Sequence, residues 1–148
     1  MGASLNPSLE TTHLVRDSCL CLHVQRAARA LARRFDDALR PIGLTHGQFS
    51  LMMSLNRPKP AGMSAVASLL AMDRTTLTAA LKPLRRRGLV KVAPDPADRR
   101  GRLMTLTAKG RTLLIRAIPV WRNTHAKIEA LLGDGESGRL RNNLRVLS

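Results

Sequence analysis

A mainly α domain carrying one small β-hairpin is expected from three features of this 148-residue chain. Apolar residues recur at helical spacing through most of its length. Short segments rich in Gly, Pro, Asp and Thr punctuate those stretches. A single pair of β-type runs, "LVKVA" and "RLMTLT", flanks the polar stretch "PDPADRRGR".

Leu20, Val24, Ala27, Ala28, Leu31, Phe35 and Leu39 repeat as one helix face, so a long first helix is expected until Pro41 and Gly43 end it. Thr45 and Gln48 make a T-x-x-Q capping box that opens a second helix through Phe49, Leu51, Met52 and Leu55, before the breaker "NRPKPAG". Ser64 is expected to cap a short third helix, "AVASLLAM", ending at Met72. Asp73 is the expected cap of a fourth, "RTTLTAALKPLRRRG", which ends where Gly88 adopts the left-handed conformation. Leu77, Leu81 and Leu84 point inward from that helix, leaving Arg74, Thr75, Thr76, Thr78 and Lys82 outward. Pro83 removes one backbone donor and should bend the axis. The hairpin is expected to be short, with an exposed tip. Thr107 then caps a long fifth helix, apolar at Leu114, Ile118, Trp121, His125, Ile128 and Leu132, and "GDGESG" precedes a last amphipathic piece with Leu140, Leu144 and Leu147.

The length suits a single domain, 1–148, with enough chain to bury a real core. The net charge is +15, and nine Lys or Arg against two Asp fall between Arg74 and Arg102. Such an excess points to a polyanionic partner, nucleic acid before a membrane surface. Aromatic residues make up 2% and tyrosine is absent, which disfavours the stacking platforms used for single strands and leaves duplex DNA. The only cysteines, Cys19 and Cys21, stand two apart on an expected helix and cannot close a mutual disulfide, in keeping with a reducing cytoplasm. No secretion signal and no membrane-spanning run is read from the sequence. Histidines 13, 23, 46 and 125 lack metal-ligand spacing, and no phosphate-binding glycine loop, nucleophile elbow or Cys-x-x-Cys pair occurs, so neither cofactor, metal nor enzymatic activity is expected.

Helix, turn, helix and then a basic hairpin is the order of a winged helix-turn-helix. Within it, "GLTHGQF", "DRTTLTAALKPLRRRGLV" and "DPADRRGRLMTLTAKG" resemble, in order and spacing, the MarR family of bacterial regulators, over roughly residues 17 to 132. The resemblance implies a homodimer interlocked through helices at about 12–43 and 107–148, around a DNA-binding region at about 45–106. It implies a pseudo-palindromic operator, with the fourth helix in the major groove and the wing against the minor groove. Ser64, Arg74, Thr75, Thr76, Thr78, Lys82, Arg99, Arg100 and Arg102 are the candidate DNA contacts, and any of the three wing arginines is a candidate for the groove. In the family a wing aspartate pairs with arginine and fixes the loop, a role that falls here to Asp98. Arg85 to Arg87 read equally as a phosphate clamp or as cations complementing the helix dipole. Where relatives often carry polar residues after "LT", this chain has Ala79 and Ala80.

Regulators of this family usually respond to a signal. The resemblance therefore implies a repressor released by a small aromatic or anionic effector, with His46, Phe49, Met53 and Trp121 as candidate pocket residues. Cys21, twenty-two residues before Gly43, matches the reactive cysteine of the family's organic-hydroperoxide sensors. The tyrosines that hold the thiolate there are replaced by Gln25, Phe35 and His46. A redox-sensing regulator and a signal-independent architectural DNA-binding protein are the alternatives.

Overall fold

The computed structural model describes residues 6–148; the first five residues of the single domain expected over 1–148 lie outside the described residues. The chain divides into two compact units between Arg34 and Phe35.

The first unit holds α1 (Leu9–Ser18) and most of α2 (Leu20–Leu39). The Ser8 hydroxyl caps α1 by accepting from the Thr11 amide at 3.1 Å. Cys19, with φ −70° and ψ 108°, is an extended residue between the two helices. The expected long first helix is α2, preceded by a further helix, α1, that was not expected, and Cys19 is not helical. Nothing in the apolar spacing announced α1, because none of its residues is buried.

In the second unit a short 3-10 turn (Arg40–Ile42) follows α2, and Gly43, at φ 76°, reverses the chain into α3 (His46–Ser54). The capping box is present as expected: the Thr45 hydroxyl accepts from the Gln48 amide at 3.1 Å, and the Gln48 side chain accepts from the Thr45 amide at 3.1 Å. A two-residue strand β1 (Ala61–Gly62) leads directly into α4 (Met63–Leu69), then come α5 (Arg74–Arg86), β2 (Val90–Asp95), β3 (Asp98–Leu106), α6 (Ala108–Glu129) and α7 (Glu136–Leu147). The three strands form an antiparallel sheet in the order β1-β3-β2. Ala61 pairs with Met104, and Val90 with Leu106.

Three expectations are corrected here. Ser64 does not cap α4. Pairing of Ala61 and Gly62 with β3 carries the chain straight into the helix, so Gly62 stands at the cap position without a side-chain bond, and Ser64 is an exposed residue of the first turn. Secondly, α4 ends at Leu69 rather than Met72. Ala71 takes the left-handed conformation, φ 51°, and the Met72 amide returns to the Ala67 carbonyl at 2.8 Å, a closure that glycine usually signals. Thirdly, the hairpin is not short: its strands run almost to the tip, leaving Pro96 and Ala97 as the turn between paired Asp95 and Asp98.

Leu39, Met52, Val66, Leu77, Leu84, Leu89 and Met104 fill the centre of this unit at 2% exposure or less. Leu77, Leu81 and Leu84 all point inward, as their spacing predicts. Burying a leucine or methionine side chain stabilises by about 1.5–3 kcal/mol each, so the inner face of α5 is fastened and its outer face is held out to solvent.

The start of α6 is bolted onto the end of α5. The Lys109 ammonium donates to the Arg87 carbonyl at 2.8 Å, the Thr107 hydroxyl to Gly88 at 2.6 Å, and the Thr107 amide to Leu89 at 3.1 Å. Three consecutive carbonyls at a helix exit, which otherwise lack partners, are satisfied by one turn. The same Thr107 oxygen accepts from the Gly110 amide at 3.0 Å, the N-cap the sequence predicts. Further on, the Arg141 guanidinium meets Glu129 at 2.8 Å, joining α7 to α6 and holding the Glu129 carboxyl below its usual pKa. Among the described residues no helix is long and apolar enough to cross a membrane.

Candidate nucleic-acid interface

The helix pair α4 and α5 and the β2–β3 wing bring most of the predicted contact residues to one side of the second unit. Asp73 caps α5 by accepting from the Thr76 amide at 2.7 Å, and that bond holds its carboxyl below the ordinary value. From this fixed start Arg74, Thr75, Thr78, Ala79 and Lys82 fall on one exposed face, three and four residues apart, and line a shallow concavity of about 290 Å³. Thr76 lies off that face, beside the cap.

A second concavity, of about 340 Å³, opens between this helix and the wing. Ser64 from α4, Arg74 from α5, and Asp95, Asp98, Arg100 and Arg102 from the wing line it. Arg74 belongs to both concavities and so links the α5 face to the wing, where Arg100 and Arg102 stand beside Asp95 and Asp98. Arg99 is not brought into this group. The sheet register breaks at the tip, where Pro94 pairs with Arg102 but Asp95 with Asp98, so residues 99–101 lie outside the regular ladder, and of the three arginines Arg100 and Arg102 line the concavity.

The wing is ordered by two aspartates. Asp98 accepts from the Arg100 amide at 3.0 Å, and Asp95 accepts from the Ala97 amide at 2.9 Å. The pairing implied for Asp98 is therefore corrected: among the described residues its carboxylate makes no ion pair with an arginine, and its partner is backbone. Sequence reasoning missed Asp95, although an Asp two residues before an amide in a turn is the usual signal. Gly101 completes the arrangement, since a Cβ there would stand 3.0 Å from Asp95 Cβ and 3.2 Å from an Asp98 oxygen. Arg102 donates to the Gly101 carbonyl at 2.9 Å, while Arg99 and Arg100 are exposed.

The remaining candidates lie elsewhere. His46, Phe49 and Met53 are spaced along one face of α3. Phe49 is buried and stacks on Trp121 of α6, with ring centroids 6.3 Å apart, and Trp121 stacks in turn on His125 at 4.8 Å. The His46 amide donates to Asp36 at 2.7 Å, its ring Nδ1 lies 3.3 Å from the same oxygen, and these bonds hold the Asp36 carboxyl below its usual value. In the first unit Cys21 is an exposed free thiol whose sulfur accepts from the Gln25 side-chain amide at 3.2 Å.

Comparison with known proteins agrees with this arrangement. The MarR family model matches residues 44–101, which take in α3, the α4–α5 pair and the wing through Gly101. The transcriptional regulator MosR of M. tuberculosis, solved in complex with DNA, is 42% identical and superposes with a TM-score of 0.80, over 88% of this chain and 93% of that one. The transcriptional repressor CouR, bound to a 23-mer DNA duplex, is 28% identical with a TM-score of 0.80, over 90% of this chain and 94% of its own. The transcriptional activatory protein BadR of Rhodopseudomonas palustris is 37% identical over 95 residues, 62% of this chain and 54% of BadR. The match thus spans about half the length of such curated relatives. These are winged-helix transcriptional regulators rather than enzymes.

Proposed function

Because this chain belongs to the MarR family, we propose that it is a dimeric transcriptional regulator that binds duplex DNA sequence-specifically, with α5 in the major groove and the wing on the adjoining minor groove. The observation that carries the reading is the placement of Arg74, which joins the outer face of α5 to Arg100 and Arg102 of the wing. Paired elements of this kind suit a groove and its flanking phosphates. Ser64, Thr75, Thr76, Thr78, Lys82 and Arg99 complete the proposed contact set. The site of action of such a regulator is the cytoplasm.

Dimerisation rests on unpartnered apolar side chains at both ends of the chain. No residue of α1 or of α7 is buried, yet Leu9, Leu14, Val15, Leu140, Leu144 and Leu147 lie along them, and Leu20, Val24 and Leu31 of α2 are exposed as well. Exposed apolar stripes of this extent call for a partner, and a second copy is the one that yields a two-fold operator. Light scattering should give twice the mass of the chain. Anisotropy titration against the DNA upstream of its own gene should give a dissociation constant of about 10 nM or tighter, well below that for unrelated duplexes. Equal affinity for all duplexes at physiological salt would replace the regulator with an architectural DNA-binding protein.

Repression relieved by a small aromatic or anionic effector is the proposed mode of control, at the α3 face formed by His46, Phe49 and Met53 where Phe49 meets Trp121. Relatives named as an activator and as a repressor both share this frame, so a reporter fused to the upstream DNA gives the sign of regulation. A redox reading has its own observation, the exposed Cys21 sulfur beside the Gln25 amide. If it holds, organic hydroperoxide releases the wild type from DNA and leaves Cys21→Ser bound. Release of both proteins, or of neither, removes Cys21 from the mechanism.

A further inference from the structure

The outer face of α5 carries Thr75 and Thr78, and polar residues there suggest bases read through hydroxyl groups. The hydrogen bonding of Thr78 says otherwise. Thr78 Oγ1 donates to the Arg74 carbonyl at 2.7 Å, the back-bond to the preceding turn that threonine makes inside helices. With the hydroxyl turned to the backbone, the γ-methyl is the outward group of this exposed side chain. Thr76 stands beside the cap, its amide donating to the Asp73 carboxylate at 2.7 Å. Ala79, adjoining Thr78 and exposed, presents only a β-methyl. Arg74 and Lys82, each four residues from Thr78, stand on either side of these two methyls, and Thr75 lies one turn before Ala79. At Thr78 and Ala79 the face is therefore apolar, and Arg74 and Lys82 make its ends cationic.

We propose that Thr78 and Ala79 form a methyl-reading patch that selects the 5-methyl group of thymine in the major groove, while Arg74 and Lys82 hold the flanking DNA. This rests on the DNA-binding reading above and adds to it which base feature is recognised. Thymine is the one ordinary base that offers a methyl in that groove, and an alanine or threonine methyl is its usual apolar partner. Small side chains also let the helix axis approach the bases closely, which fits a face whose only long side chains lie at its two ends.

The test uses the full chain. Duplexes selected from a random pool should carry thymine at a fixed position in each half-site. Replacing that thymine with deoxyuridine removes one methyl and leaves every hydrogen-bonding group unchanged. Affinity should fall about fourfold for each methyl lost, the worth of one buried methylene-sized group. Thr78→Ser keeps the hydroxyl bond and deletes the γ-methyl, so it should shrink the thymine-over-uracil ratio. Thr78→Val keeps a methyl and deletes the hydroxyl, so it should preserve the ratio. Equal affinity of the wild type for thymine and uracil duplexes overturns the proposal while leaving DNA binding intact. So does the opposite pattern, with the ratio kept in Thr78→Ser and lost in Thr78→Val, which would make the hydroxyl the reader. Failure to enrich any duplex refutes the DNA-binding reading itself, and this proposal with it.

Discussion

Replacing Gly110 with alanine is expected to destabilise the fold by about 3 kcal/mol, the upper part of the usual range for overpacking a filled site. A Cβ at this position would stand 2.1 Å from the Leu89 carbonyl oxygen and 3.1 Å from its carbon. The obstacle is backbone rather than the end of a flexible side chain, and Leu89 is itself fixed, 1% exposed and accepting from the Thr107 amide. To make room, α6 must move away from the end of α5, which stretches the three carbonyl bonds at Arg87, Gly88 and Leu89 together. Gly47→Ala is the control: it lies in the first turn of α3, where an added Cβ meets nothing closer than 4.0 Å. Helix propensity makes that change neutral or stabilising by up to about 1 kcal/mol. Urea unfolding of the three proteins decides the matter. A Gly110→Ala midpoint equal to that of the wild type would mean that α6 does not dock on Leu89 as described.

That close approach also shows which parts of the fold were legible in the sequence. Signals acting within three or four residues were read correctly: Thr45 with Gln48, Asp73 with Thr76, Thr107 with Gly110, and Gly88 in the left-handed conformation at φ 70°. Each is a hydrogen bond or a steric allowance that the local residues determine by themselves. What escaped depends on distant partners or lacks a local mark. Ala61 and Gly62 are a strand only because Met104 and Leu103 of β3 pair with them, and once they pair, Ser64 is carried past the cap position. Ala71 closes α4 in a conformation for which alanine gives no warning. The prolines and glycine of "PDPADRRGR" read as a loop, because their composition hides that β2 and β3 run nearly to the tip.

The candidate site was legible in composition and less so in orientation. Charge density between Arg74 and Arg102 pointed to the surface that α5 and the wing form together. The separation of Arg99 from Arg100 and Arg102 accompanies a break in the strand register near the tip, of which the loop reading gave no sign. The threonines of α5 were recognisable as exposed, but a hydroxyl spent on the Arg74 carbonyl is visible only in the folded helix. Asp73 and Gly88 place α5, and side-chain bonding decides what its face offers to a base.

Removing both Arg100 and Arg102 is expected to weaken binding to every duplex by about a hundredfold, tenfold for each arginine, within the span usual for such contacts. Both side chains line the concavity that also holds Ser64 and Arg74, so they face the position a duplex takes when α5 occupies the major groove. The wing itself should survive the change, because its turn is held by Asp95 and Asp98 through backbone amides rather than through these guanidinium groups. Salt dependence separates the ways they can act. Each arginine that neutralises a phosphate contributes about 0.9 to the slope of log affinity against log salt, so the double variant should flatten that slope by about 1.8. An arginine that enters a narrow minor groove instead gives a loss concentrated on A·T-rich flanks. Arg99→Ala, outside that concavity, should change affinity less than either single variant of the other two. Retention of both affinity and salt slope in the Arg100→Ala, Arg102→Ala protein would take the wing out of the interface and leave α5 to bind DNA alone.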